Sequence, residues 1–346
     1  MRAVLFPGNK QVIIVDRPRP EPRAHEVLVQ TMASAICRSD MSIYYGVPIV
    51  GGALADRDHI IPGHEAAGIV VSVGSAVRNV QIGDRVAGYL AVGDEFSEYG
   101  SQGYLMLDPD WKCFGFDLDG GNADYFVLPE GNILPLPKEI SFKAGALLTD
   151  MVGTQYSTQK RLGVSARHTV AIVGLGPMGA AAVLIAKAYG ARVIAVDVLD
   201  SRLEQARELG ADHLINSSSE DAVAQIFSLT GGRGADIVIE CSGNPAGQNT
   251  ALDSAAKLGA VAFVGESRAT EIRPSDQIIR KLLTVVGGWY FPRGEWEEII
   301  RFVQERAIPV EKLISHEFSL EEAEEAFGAF DRRETEKAVF VWAEER

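Results

Sequence analysis

The chain has 346 residues, of which 47% are hydrophobic and 23% are charged. This composition is typical of a folded globular protein rather than a disordered or fibrous one, and the length favours two domains. With 33 basic and 47 acidic residues the net charge is −14, which repels nucleic acid and anionic membrane surfaces and favours small-molecule partners.

The sequence gives no sign of a membrane or secreted protein. No uncharged apolar run reaches transmembrane length, and the apolar start is interrupted by Pro7 and Gly8 too early for a signal peptide. We therefore expect a cytoplasmic protein. The three cysteines, Cys37, Cys113 and Cys241, are odd in number and widely spaced, which argues against a disulfide framework.

The predicted elements change character along the chain. Residues 1 to about 150 contain short apolar runs bounded by Gly, Pro or Asp, which predict a β-rich unit: RAVLF, QVIIV, EVLVQTM, GIVVSV and DRVAGYL. From about residue 168, β-branched runs alternate with helical patterns: TVAIV, RVIAV, DIVIE, AVAFV and LTVVG. This alternation predicts right-handed crossovers and a doubly wound α/β domain, with a parallel sheet covered on both faces.

Helical patterns return toward the C-terminus. One stripe of the segment GEWEEIIRFVQE is apolar and comprises Trp296, Ile299, Ile300 and Val303. Ser319 and Glu322 have the spacing of a capping box that opens a second helix. The segment KAVFVW then predicts a strand, and we expect the chain to end by rejoining the first domain.

A glycine-rich loop follows the first strand of the later unit. Gly174, Gly176 and Gly179 form a G-x-G-x-x-G pattern between a predicted strand and a predicted helix. These glycines permit a tight turn, close approach of the backbone to a pyrophosphate, and close packing of helix on strand. The exposed amides at the helix N-terminus favour an anion. The pattern predicts a dinucleotide site; the alternative is a tight turn without a ligand.

The cofactor is expected to be NAD. Asp197 ends the second strand of this unit, where a carboxylate accepts hydrogen bonds from ribose hydroxyls and repels a 2′-phosphate. Arg202 lies nearby and leaves NADP open as the alternative. The other candidate cofactor-binding residues are Pro177, Met178, Ser242 and Gly265.

Oxidation of an alcohol by NAD requires that the hydroxyl lose its proton or that its oxygen be polarised, and zinc does this as a Lewis acid. Candidate ligands are Cys37 in AICRSD, His64 and Glu65 in PGHEAAG, and Asp150 in LLTDMVG. A thiolate, an imidazole and one carboxylate would leave the fourth tetrahedral position open, as in catalytic zinc sites. Their spacing along the chain does not assemble a site by itself, and each could be a packed core residue.

The chain resembles the zinc-dependent medium-chain alcohol dehydrogenase family over nearly its whole length. Three motifs carry the resemblance: GHEAAGIVVSVGSAVRNVQIGDRV, CRSD and VGLGPMG. The family includes polyol, threonine and glucose dehydrogenases. The resemblance implies a GroES-like β-rich catalytic domain at residues 1–153 and a Rossmann NAD-binding domain at 154–290. Residues 291–346 would be a C-terminal segment that rejoins the catalytic domain.

The resemblance also implies roles for the candidate site residues. Cys37 and His64 match zinc ligands, Asp150 matches a position that can supply the third ligand, and Glu65 would be an exchangeable neighbour of zinc. Ser39 matches the hydroxyl that hydrogen-bonds the substrate alcohol and starts proton removal. Asp40 matches the acid that orients the ligand histidine, since such partners fix the tautomer. Alternatively, Ser39 and Asp40 cap the helix that SDMSIYY begins.

Two departures from the family pattern are evident. Many relatives hold a structural zinc with four cysteines in the stretch corresponding to residues 90–120, where this chain has only Cys113. We therefore expect one catalytic zinc per chain and no structural zinc. Packing would hold that loop through Tyr99, Tyr104, Trp111 and Phe114, with Cys113 as a buried thiol. Ser42 also replaces a histidine found in many relatives, so the outer end of the proton path has no assigned residue.

The sequence thus predicts an NAD-dependent zinc oxidoreductase acting on a secondary alcohol, with a polyol, sugar or cyclitol favoured, in a homodimer or homotetramer. Threonine-like amino alcohols and simple secondary alcohols remain open as substrates. Two other readings are a zinc-free quinone or enone reductase of the same superfamily and a catalytically silent nucleotide-binding protein. The presence of Cys37, His64 and Ser39 argues against both.

Overall fold

The structure is a computed structural model that describes residues 1–46 and 59–343. The chain divides into two compact units. A β-rich unit comprises Met1–Asp150, Pro292–Trp296 and Val310–Arg346, and a parallel-sheet unit comprises Met151–Phe291 and Glu297–Pro309. Within the described ranges, no helix combines the length and apolar character needed to cross a membrane.

The β-rich unit is built mainly from short strands. Its strands are β1 (Arg2–Gly8), β2 (Gln11–Asp16), β3 (Glu26–Ala35), β4 (Glu65–Val73), β5 (Arg85–Gly88), β6 (Ala91–Val92), β7 (Lys112–Cys113), β8 (Tyr125–Pro129), β9 (Ile133–Pro135), β16 (Ile314–Phe318) and β17 (Lys337–Val341). Its α-helices are α1 (Met41–Tyr45), α2 (Phe142–Leu147) and α10 (Ala323–Asp331).

Strand β3 organises this unit. A seven-stranded sheet runs in the order β16-β17-β3-β4-β5-β9, and β8 also pairs with β3. The strands β4, β8 and β17 all run antiparallel to β3. Apolar residues fill most of β3, and eight of its ten positions are buried. Strand β3 therefore fixes the positions of segments that are far apart in sequence.

The parallel-sheet unit alternates strands with helices. Its strands are β10 (Thr169–Val173), β11 (Arg192–Asp197), β12 (His213–Asn216), β13 (Ala235–Glu240), β14 (Ala255–Phe263) and β15 (Thr284–Gly287). Its helices are α3 (Gly153–Arg161), α4 (Pro177–Ala188), α5 (Asp200–Glu208), α6 (Ala222–Leu229), α7 (Pro245–Ser254), α8 (Pro274–Gln277) and α9 (Trp296–Glu305), the last of which begins in the β-rich unit.

The six strands of this unit are all parallel and lie in the order β12-β11-β10-β13-β14-β15. This is the strand order of a dinucleotide-binding doubly wound sheet, with its switch point between β10 and β13. Val170, Ala171 and Ile172 of β10 are fully buried, as expected for a strand covered on both faces. The expected α/β class is confirmed. The sequence analysis missed β12, which has only four residues and no fully apolar run.

The C-terminal elements follow their sequence patterns. All four residues of the apolar stripe around α9, from Trp296 to Val303, are buried. The capping box is present: the side chain of Ser319 accepts from the backbone and that of Glu322 accepts from the N–H of Ser319 at 2.8 Å. Strand β17 pairs with β3 in the β-rich unit.

Candidate functional site

The register of three strands brings the metal-ligand candidates together. Ala35 of β3 pairs with Glu65 of β4 on one side and with Val339 of β17 on the other. Cys37 follows β3 by two residues and His64 directly precedes β4, so hydrogen bonding of the sheet places both at one end of the same strands. Lys337, two residues before Val339, arrives at that end from the far part of the chain.

Asp40 connects Cys37 with His64. A turn of 3-10 helix, Arg38–Asp40, follows Cys37, and the Asp40 Oδ2 accepts the backbone N–H of Cys37 at 2.8 Å. The Asp40 Oδ1 lies 3.1 Å from His64 Nδ1, and both side chains are fully buried. Burial disfavours the imidazolium, yet the charge of Asp40 and hydrogen bonds with Asp150 raise the pKa of His64 well above its usual range. Asp40 therefore caps the turn and also orients the imidazole, leaving Nε2 to face the other candidates.

Asp150 reaches the same place from a turn of π-helix. Ser141 caps α2 by accepting the N–H of Ala144 at 3.1 Å, and the chain then widens into the π-helical turn Leu148–Val152. Such turns are frequent at functional sites because the extra residue redirects a side chain. The Asp150 Oδ2 lies 3.4 Å from His64 Nε2 and 3.8 Å from Cys37 Sγ.

Four potential ligands form one cluster. One donor atom from each of Cys37, His64, Glu65 and Asp150 lies within 4.8 Å of all the others. The last three side chains are buried, and Cys37 is half-buried. The Glu65 Oε2 is buried without a hydrogen-bond partner among the described residues, which is costly unless a further group satisfies it. A thiol, an imidazole and carboxylates are the donors that zinc takes in proteins, so this set fits the ion.

Ser39 and Lys337 border the cluster. Ser39 is half-buried, and its Oγ lies 3.4 Å from His64 Nε2. Lys337 Nζ donates to Glu65 Oε1 at 2.5 Å. Burial raises the pKa of Glu65 to about 7 despite the opposing charge of Lys337. Sequence reasoning missed Lys337; a lysine at the head of the otherwise apolar run KAVFVW was the available signal.

The glycine loop of the parallel-sheet unit has the shape that its sequence predicts. Gly174 has a φ of +85°, and a Cβ there would lie 2.7 Å from the backbone N of Ser242. At Gly179 a Cβ would lie 1.9 Å from the carbonyl oxygen of Gly174, whereas at Gly176 the nearest atom would be 3.8 Å away. Gly176 is the N-cap of α4 and precedes Pro177 and Met178, and as a glycine it provides no side-chain cap. Of the three glycines, only Gly176 has room for a Cβ, and the nearest neighbour of that Cβ would be the guanidinium of Arg202.

Asp197 has partners of its own around this loop. Its Oδ2 accepts the N–H of Leu175 at 2.6 Å, and its Oδ1 accepts the N–H groups of Val198 and Leu199 at 2.8 and 3.0 Å. Arg202 Nη1 lies 3.9 Å from the Asp197 Oδ2. The carboxylate therefore joins the end of β11 to the glycine loop, a structural contribution that the sequence analysis did not foresee.

Ser242 lies against the glycine loop, and Gly265 lies against the turn that contains Ser242. A Cβ at Gly265 would lie 2.1 Å from the backbone N of Gly243, so only glycine fits there. Glu240, at the end of β13, accepts the backbone N–H groups of Ser242 at 2.7 Å and Gly243 at 3.1 Å. Sequence reasoning did not identify Glu240 as the residue that holds this turn.

The loop between β6 and β8 differs in one respect from expectation. Phe114 is fully buried against Phe126, with ring centroids 5.3 Å apart, and Cys113 is buried. The expectation that Tyr99 packs into this loop is wrong, because its side chain is 40% exposed. Tyr104 and Trp111 are half-buried. Aspartate side chains also hold turns of this loop. Asp117 Oδ2, for example, accepts the N–H of Cys113 at 2.9 Å.

Comparison with known proteins matches both units. The alcohol dehydrogenase GroES-like domain matches residues 23–138, and the zinc-binding dehydrogenase domain matches residues 177–305. The chain is similar to an uncharacterized zinc-type alcohol dehydrogenase-like protein of Escherichia coli (strain K12), with 34% identity over 94% of each chain. It is 31% identical to a sorbitol dehydrogenase of Bacillus subtilis (strain 168), over 94% of this chain and 92% of that one.

A solved structure is similar over nearly the whole length. The alcohol dehydrogenase TADH from Thermus sp. ATN1 superposes with a TM-score of 0.90 and 27% identity, covering 99% of both chains. The identity over nearly the full length of the relatives, together with both domain matches, shows that this chain is an oxidoreductase that belongs to the zinc-dependent medium-chain alcohol dehydrogenase family.

Proposed function

We propose that this protein is an NAD-dependent zinc dehydrogenase whose substrate is a secondary alcohol, with a polyol, sugar or cyclitol favoured. The observation that carries the proposal is the cluster of Cys37, His64, Glu65 and Asp150, whose donor atoms lie within 4.8 Å of one another. The similarity to a sorbitol dehydrogenase supports a polyhydroxylated substrate. The assembly proposed with this function is a homodimer or homotetramer.

Cys37, His64 and Asp150 are the proposed ligands of one catalytic zinc per chain, with Glu65 as an exchangeable neighbour. When bound, zinc would polarise the substrate oxygen and NAD would accept the hydrogen of the carbinol carbon with its electron pair. Asp40 holds the His64 ring by its Nδ1 and thereby directs Nε2 into the cluster. Ser39, 3.4 Å from that Nε2, is positioned to take the hydroxyl proton and pass it outward.

The parallel-sheet unit supplies the proposed NAD site. The space over Gly176 and the uncapped N-terminus of α4 suit a pyrophosphate, flanked by Pro177 and Met178. Asp197 favours an unmodified ribose, because a 2′-phosphate would meet its buried carboxylate. Arg202, Ser242 and Gly265 complete the proposed cofactor contacts.

A substrate panel tests this function. Polyols, sugars, cyclitols, threonine and simple secondary alcohols are offered with NAD or NADP, and the absorbance of the reduced nicotinamide is followed. We expect the highest kcat/KM for a polyol or related compound with NAD. Cys37→Ser should abolish this reduction, whereas Cys113→Ser, which alters a buried thiol outside the cluster, should preserve it. Reduction of enones by metal-free protein, without alcohol oxidation, would instead support a zinc-free reductase.

A further inference from the structure

Lys337 is a buried lysine with an unusual location. Its side chain is 1% exposed, and its Nζ donates to the Glu65 Oε1 at 2.5 Å and to the carbonyl oxygen of Ile36 at 3.0 Å. Lysine is almost never fully buried unless it is paired, because removing an ammonium from water is costly. The pairing partner here is one of the four potential metal donors.

The backbone gives this ammonium little freedom. Lys337 is the first residue of β17, and its carbonyl oxygen accepts from Ser315 Oγ at 3.2 Å. The N–H of Ile36 donates to the carbonyl oxygen of Ala338 at 2.9 Å. The strand pairing therefore fixes the start of the side chain, and two hydrogen bonds fix its end.

Lys337 faces the acidic donors of the cluster. Its Nζ forms an ion pair with Glu65, whose donor atom lies within 4.8 Å of those of Cys37 and Asp150. The ammonium thus lies beside a group that carries several negative charges. It bonds directly to one member, Glu65, and acts on the others through space.

A tetrahedral zinc site with four protein ligands is closed, as in structural sites, whereas a catalytic site keeps one position for the substrate. Four donors lie within 4.8 Å here, so the cluster holds enough ligands to close itself. Asp150 Oδ2 lies 3.4 and 3.8 Å from the His64 and Cys37 donors, while Glu65 is the member bonded to a cation.

We infer that Lys337 is a positioning residue that restrains Glu65 from ligating the metal and thereby keeps the substrate position open. This inference rests on the proposed function. The ammonium satisfies only the Oε1 of Glu65 and offsets the charge of the carboxylate, so Glu65 gains less by binding the ion through its remaining oxygen, Oε2. Without Lys337, the buried carboxylate of Glu65 would lose the ammonium with which it is paired.

The test measures ligand exchange at the metal rather than turnover. Protein in which Co²⁺ replaces zinc is titrated with imidazole, and the visible absorption bands of the ion report whether a position is open. We expect wild-type protein to bind imidazole, Lys337→Met to bind it at least tenfold more weakly, and Lys337→Met/Glu65→Gln to regain binding. Lys143→Met is the control, since Lys143 is joined to Glu317 at 2.7 Å in the same unit and is outside the cluster.

Three results would overturn the inference. One is imidazole binding to Lys337→Met as in wild type; another is failure of the double variant to recover although it binds Co²⁺ and melts like wild type. If Lys337→Met does not fold, X-ray absorption of zinc-loaded wild type decides instead. We expect the zinc to have one non-protein ligand that imidazole displaces. Zinc bound by four protein ligands, with no open position, would contradict the inference. If wild-type protein binds neither metal, the proposed function fails as well.

Discussion

Asp40 shows how one side chain can organise a site whose members are distant in sequence. It has no exposed surface, and its two oxygens bind different partners: the N–H of Cys37 and the Nδ1 of His64. The orienting role is present, but the expected capping of the helix that SDMSIYY begins is not, because the Asp40 side chain makes no cap hydrogen bond to α1 and instead closes the preceding turn at Cys37. A neutral amide could still accept from Cys37 but would no longer place a negative charge beside the imidazole.

Asp40→Asn should therefore weaken zinc binding while the turn around it survives. We expect the zinc affinity to fall about ten- to hundredfold, the usual effect of removing a partner of a ligand histidine. Competition with a chromophoric chelator measures the change. Asp124→Asn is the matched control, because Asp124 is a partly buried carboxylate paired with Arg2 at 2.7 Å in the same unit. Equal affinities for the two variants would show that Asp40 does not tune the histidine.

At the scale of single elements, two glycines in the connection from β10 to α4 have different roles. Gly179 allows helix and strand to pack, because a Cβ there would lie 1.9 Å from the Gly174 carbonyl oxygen. Gly176 has ordinary backbone angles, φ −60° and ψ −176°, and a Cβ there would lie 3.8 Å from its nearest neighbour, the Arg202 guanidinium. Gly179 is thus required by the fold, whereas Gly176 leaves room for a ligand.

A pair of alanine substitutions tests this division. Gly179→Ala should lower the free energy of unfolding by about 1–3 kcal/mol, since overpacking forces the backbone to shift. Gly176→Ala should leave the melting temperature unchanged but weaken NAD binding on the order of tenfold (1.4 kcal/mol), because the methyl group occupies the approach to the pyrophosphate. Thermal unfolding and NADH fluorescence titration measure the two effects. The division is wrong if Gly176→Ala loses stability but binds NADH normally.

At the scale of the whole molecule, regular patterns were predictable and long-range register was not. The alternating runs predict the parallel sheet, and the glycine motif predicts the shape of its first loop. The meeting of Cys37, His64 and Lys337 depends on how β3 pairs with β4 and β17, which no local pattern encodes. Asp150 likewise depends on a π-helical turn whose sequence reads as ordinary helix. The aromatic character of Tyr99 predicts packing, yet the residue is 40% exposed, because residue type alone does not fix which way a loop side chain faces.

The metal content of the purified protein tests the central claim most directly. Elemental analysis of protein prepared without added metal should find about one zinc per chain, held by the cluster around His64. A strong chelator should remove the zinc and abolish NAD reduction by the best alcohol of the panel, and added Zn²⁺ should restore it. Metal-free protein that still reduces NAD at the full rate would contradict the account.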